Sequence, residues 1–96
     1  YPYEIENFLI SHPKVQNVAL VGILDKVLGE RSIACIVLKQ GMEASPEEFM
    51  TYCRNALADY KVPDKVVFYK ELPMTPNGKV KKGELRSQLE GSFMRS

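Results

Sequence analysis

Ser32-Ile33-Ala34-Cys35-Ile36-Val37-Leu38 is apolar on both of its alternating sets, Ile33/Cys35/Val37 and Ala34/Ile36/Leu38. Successive side chains of a strand point to opposite faces, so a run with no polar face has to be covered on both sides. Upstream, Val15 to Leu24 is nearly continuous in Val, Ala, Leu and Ile and reads as a second strand. The segment between them, Leu24-Asp25-Lys26-Val27-Leu28-Gly29-Glu30, is long for a hairpin but holds the polar and Gly residues a turn needs.

Outward from this pair, the spacing predicts the covering layers. Ile5, Phe8 and Leu9 recur at helical spacing after Pro2, which suits a first-turn position, and Pro13 stops the run. After Gly41 breaks the second strand, Ser45-Pro46-Glu47-Glu48 has the form of a capping box that opens a helix. Phe49, Tyr52, Cys53, Ala56 and Leu57 then make one apolar stripe expected to face the sheet. Val66 to Tyr69 is a third strand candidate, and Lys82 to Leu89 a closing helix with Leu85 and Leu89 inward. Between these two lies a proline-rich loop, Leu72-Pro73-Met74-Thr75-Pro76-Asn77-Gly78. The expected fold class is α+β: a small three-stranded, mostly antiparallel sheet flanked by helices.

Composition narrows the function classes. A 96-residue chain fits one domain with a thin core. Its 13 basic and 12 acidic residues leave a net charge of +1, too little for electrostatic capture of nucleic acid. Lys81 and Lys82 lack the interleaved aromatics of a nucleic-acid patch. No apolar run reaches membrane-span length, and the first residues lack the pattern of a signal peptide, so the expectation is a soluble, cytoplasmic protein. Cys35 and Cys53 fit no CxxC or zinc spacing and read as reduced core residues. His12 is the single histidine and has no partner in the sequence for acid–base work, so it reads as an ordinary residue at a helix end.

Chemistry concentrates in Thr75-Pro76-Asn77-Gly78-Lys79-Val80-Lys81-Lys82. Pro76 and Gly78 restrict and turn the backbone, and Lys79 then extends a point charge on a flexible stem that can reach a phosphate. It is not a Walker A loop: the first Gly of GxxxxGK is absent, and Val80 stands where a Ser or Thr would hold magnesium. Taken alone, Gly78-Lys79 is more readily a turn followed by a solvated charge.

Three other segments, read with this one, closely resemble the carboxyl-terminal domain of adenylate-forming enzymes, the superfamily of acyl-CoA synthetases, peptide-synthetase adenylation domains and luciferases. They are Tyr1-Pro2-Tyr3-Glu4-Ile5-Glu6, Val21-Gly22-Ile23-Leu24-Asp25…Gly29-Glu30, and Leu57-Ala58-Asp59-Tyr60-Lys61-Val62-Pro63; Glu71-Leu72-Pro73 precedes Gly78-Lys79 at a short fixed distance. The resemblance spans Pro2 to about Leu89 and is nearest the acyl-CoA synthetase branch. It implies that residues 1–96 form the small domain of a longer enzyme, with a large N-terminal domain and a hinge upstream of Tyr1.

The resemblance also implies a reaction. A carboxylic acid is joined to ATP, pyrophosphate leaves, and the acyl-adenylate passes its acyl group to CoA. Lys79 would be the catalytic lysine of adenylation, withdrawn when the small domain swings to admit the thiol. Gly78, Tyr60, Lys61 and Lys65 are the implied contacts to CoA or nucleotide, although Val62 and Asp64 stand where some relatives carry basic side chains. The alternative for Tyr60 is a packing residue at a helix end, with both lysines solvated. Mg²⁺ accompanying ATP would be held mainly by the large domain. Two other functions stay open: an enzyme loading an aryl or amino acid onto a carrier protein's phosphopantetheine, and a non-catalytic binding module. The identity of the acid is expected to be set outside this chain.

Overall fold

In the computed structural model, which describes residues 2–94, the elements run in the expected order. They are α1 (Pro2–Ile10), β1 (Val15–Asp25), β2 (Gly29–Leu38), α2 (Pro46–Ala56), a single 3₁₀ turn at Asp59–Lys61, β3 (Lys65–Tyr69) and α3 (Lys82–Met94). Tyr1, the first residue of the opening motif, lies outside the described residues.

The three strands form one sheet in the order β1-β2-β3. The long β1–β2 pairing is antiparallel, from Asp25↔Gly29 to Val15↔Leu38, with a register shift between Val15 and Asn17. β2 and β3 pair in parallel, Ile33↔Lys65 to Val37↔Tyr69, so the sheet is mixed. The physical reason is the connection: parallel neighbours need a crossover of a dozen or more residues, and the stretch carrying α2 supplies it.

The turn between β1 and β2 is tighter than its sequence implied. Both strands continue to Asp25 and Gly29, leaving only Lys26, Val27 and Leu28 as loop. The Asp25 carboxylate accepts from the amides of Val27 (2.8 Å) and Leu28 (2.9 Å), and Gly29 takes φ of 81°, so a short loop satisfies its own backbone. These two amides, first Leu28 and then Val27, hold the Asp25 carboxyl below the usual carboxylate range.

Each face of the sheet carries its own core. Ile5 and Leu9 of α1 and Phe49 and Cys53 of α2 pack on Val18, Leu20, Ala34, Ile36 and Val66. On the other face Leu85 and Leu89 of α3, with Leu72, pack on Ala19, Val21, Ile33, Cys35 and Val37. The doubly apolar β2 is therefore covered on both sides, as its sequence requires. The α2 stripe departs from expectation at one position: Ala56 is exposed, because the helix ends there and the chain leaves the sheet surface.

The capping box at the start of α2 is half made. Ser45 Oγ accepts from the Glu48 amide at 3.2 Å. The Glu48 carboxylate does not return to Ser45; it bonds the Lys14 ammonium at 3.0 Å and lies 3.9 Å from His12 Nε2. His12 is buried against the rings of Phe49 and Tyr52, each 4.7 Å away between centroids, and its Nδ1 accepts the Lys14 amide. It is a packing residue that closes the α1–β1 connection. Both cysteines are free and buried.

Candidate functional site

Lys79 sits at the base of a short hairpin loop that projects from the fold. The loop is closed by a turn in which the Gly78 amide donates to the Thr75 carbonyl at 2.9 Å, and by the Thr75 amide donating to the Lys79 carbonyl at 2.7 Å. Gly78 adopts φ of 86°, the left-handed region in which an L side chain is strained. This is the geometry of a type I turn followed by a glycine bulge, and Pro76 at the first corner of the turn favours it. Below the loop, Met74 and Val80 form an antiparallel bridge, and the Lys81 amide donates to the Pro73 carbonyl at 2.8 Å.

The consequence for Lys79 is a fixed backbone and an exposed side chain. Among the described residues no carboxylate forms an ion pair with its ammonium. Lys82, three positions on, is instead tied to Glu6 of α1 at 2.8 Å. Glu6 also accepts the Leu20 amide at 2.7 Å, so one carboxylate joins α1, the free edge of β1 and the start of α3.

A second feature is an open groove of about 720 Å³ along the free edge of β1, between α1 and α3. Tyr60 and Lys61 line it together with Arg31, Lys82 and Arg86. Arg86 Nε donates to the Gly22 carbonyl at 2.8 Å, which covers part of the unpaired strand edge. Tyr60 is 73% exposed, and the Lys61 ammonium lies 5.7 Å from its ring centroid. Lys61 is also bound through both oxygens of Glu4 at 3.0 Å.

The structure therefore brings Tyr60 and Lys61 into one groove and leaves Lys65 beside it. Lys65 borders a smaller cavity with Leu28 and Asp64. Asp64 is occupied locally: it accepts the Ser32 amide at 2.7 Å and approaches Arg31 at 3.5 Å, tying the entry of β3 to β2. Gly78 and Lys79 do not line either cavity. Reasoning from sequence missed Thr75, Arg86 and the pairings of Glu4 and Glu6. The partners of Arg86, Glu4 and Glu6 are far away along the chain, whereas Thr75 meets Lys79 only four residues on, through a hydroxyl whose direction is set by the turn.

Among the described residues no three His, Cys, Asp or Glu side chains converge as a cation site. Among the described residues no helix is long and apolar enough to cross a membrane.

With this geometry in hand, the likeness to known proteins is specific. Residues 4–79 match the family model described as AMP-binding enzyme C-terminal domain. The chain belongs to that family. It is 44% identical over 90 residues to a mitochondrial medium-chain acyl-CoA ligase of Danio rerio, covering 94% of this chain and 15% of that protein. The fatty acyl CoA synthetase of Mycobacterium tuberculosis superposes with a TM-score of 0.86 at 40% identity, over 96% of this chain and 18% of the other. An amide bond synthetase of Marinactinospora thermotolerans superposes with a TM-score of 0.83 at 35% identity, over 92% of this chain and 18% of the other. As a family member the chain is an AMP-binding enzyme C-terminal domain, and it spans about one sixth of the length of the relatives it matches.

Proposed function

We propose that this chain is the mobile small domain of an acid–thiol ligase that activates a carboxylic acid with ATP and transfers the acyl group to CoA, with Lys79 serving the first half-reaction. The observation that carries the reading is the Lys79 side chain: exposed, on a hydrogen-bonded hairpin, with no carboxylate paired to it among the described residues. Adenylation brings a carboxylate against the α-phosphate of ATP, two anions that repel. An ammonium delivered between them offsets that repulsion and stabilises charge developing on the phosphoryl oxygens. A lysine already neutralised by a neighbour in its own domain would have to give up that partner first.

The groove supports a role for the same domain in the second half-reaction. Tyr60 offers an exposed ring to an adenine, and Lys61 a cation to a phosphate. A phosphate would compete with Glu4 for the Lys61 ammonium, which lowers what that lysine contributes. Lys65 is the outlying member of the set.

The test uses the full-length enzyme carrying this domain. Lys79→Ala should lower adenylation, read as pyrophosphate exchange, by about 100- to 1,000-fold. Thioester formation from supplied acyl-adenylate should persist. Equal loss of both half-reactions contradicts the assignment. A second reading, in which the acyl group passes to an amine, draws on the likeness to the amide bond synthetase. Supplying CoA, a phosphopantetheinylated carrier and an amine in parallel separates the acceptors.

A further inference from the structure

The hairpin that carries Lys79 leaves one backbone donor over, and a side chain takes it. Within the loop the Thr75 carbonyl is engaged by the Gly78 amide, and the Lys79 carbonyl by the Thr75 amide. The glycine bulge puts an extra residue on one side of the ladder, so the Lys79 amide has no carbonyl of its own opposite it. It donates instead to Thr75 Oγ1 at 3.1 Å. Both polar groups of the Lys79 backbone thus end on one residue, which is itself half-buried while the loop beyond it is exposed.

We propose that Thr75 is a positioning residue for adenylation: its hydroxyl fixes the backbone from which the Lys79 ammonium is aimed. This rests on the reading of Lys79 given above. The long lysine stem is free to rotate, so any tilt at its root is magnified at the charge. Exposed backbone donors find water when a partner is removed, so the fold tolerates loss of the hydroxyl. What the loss forfeits is aim, and a displacement of about 1 Å at a reacting group costs up to about 100-fold in rate. The adjacent bridge between Met74 and Val80 holds the hairpin as a whole, leaving the Thr75 hydroxyl the separate task of fixing the Lys79 amide.

The experiment compares Thr75→Val, Thr75→Ala, Thr75→Ser and Lys79→Ala in the full-length enzyme. Thr75→Val keeps the shape and removes the acceptor; its kcat for adenylation should fall by about 10-fold, with KM for acid and ATP changed by less than about 2-fold. Thr75→Ala should reproduce the loss, Thr75→Ser should restore the rate, and the thermal midpoint and the thioester half-reaction should stay at wild-type values in all three. Wild-type adenylation by Thr75→Val beside an inactive Lys79→Ala overturns the role of Thr75 alone. A parallel fall in both half-reactions, or no rescue by serine, also overturns it by assigning the residue to general structure. Full adenylation by Lys79→Ala removes the Lys79 reading, and the role of Thr75 with it.

Discussion

Cys35 shows how a single buried group couples this fold to pH. Its thiol lies in the core beneath α3 beside the Tyr69 hydroxyl, and burial pushes it up from 9.0 to about 11, against a smaller opposing effect of the Tyr69 hydrogen bond. Tyr69 is raised from 10.0 to about 12, by burial first and then by Cys35. Both groups keep their protons in the folded chain at pH values where the unfolded chain has lost them. Their contribution to stability is therefore complete below the lower value of each pair and disappears as pH rises through the upper one. Urea midpoints should fall across this alkaline window, and Cys35→Ala should flatten the fall even though it lowers the midpoint at neutral pH. An equal slope in the variant would remove Cys35 as a cause. Gly78 illustrates the opposite case, an exposed residue whose importance is conformational, because no other side chain adopts its φ without strain.

At the level of elements, α2 depends on a cap that was visible in advance and on a partner that was not. Ser45 Oγ satisfies one of the orphan amides of the first turn, and Pro46 needs no such partner. Ser45→Ala should cost about 1 kcal/mol in denaturant unfolding of the chain, with an unchanged m-value. A loss near zero would mean that the Glu48 amide is served well enough by its 3.1 Å contact to the Ser45 carbonyl. The Glu48 side chain has left the box for Lys14 and His12, so it joins α2 to the α1–β1 connection. The β1–β2 hairpin makes a similar point. Its strands extend further than hydrophobicity alone implies because Asp25 closes the turn from within.

In the whole molecule the two candidate surfaces are strung along β1. The hairpin of Lys79 stands near the start of β1, where the Asn17 side-chain amide reaches the Met74 sulfur at 3.9 Å. The β1–β2 turn, with exposed Leu24, Val27 and Leu28, lies at the other end of that strand. At about 3.3 Å per residue the separation along β1 is roughly 26 Å. The groove of Tyr60 and Lys61 runs toward the turn, with Leu24 among its walls. At its other end the groove reaches Lys82, three residues after Lys79, so the two surfaces adjoin at the start of α3 and diverge toward the turn. The 96-residue chain alone should catalyse no acid-dependent pyrophosphate exchange, a measurement in which any turnover above background contradicts the division of labour proposed here.

The amino-acid sequence by itself determined the elements and their burial. Unbroken apolar alternation required β2 to be covered twice, the Ser45-Pro46 signal started α2, and Pro76 with Gly78 bent the backbone ahead of Lys79; each depends on residues within a few positions of one another. Tertiary structure alone decided the parallel placement of β3, the capture of Glu48 by Lys14, and the Glu4–Lys61 and Glu6–Lys82 pairs. It also decided that Lys61 is engaged by a distant carboxylate while the Lys79 charge stays exposed. Local periodicity records which side chains must leave water, but a charge's partner is fixed only when distant segments meet.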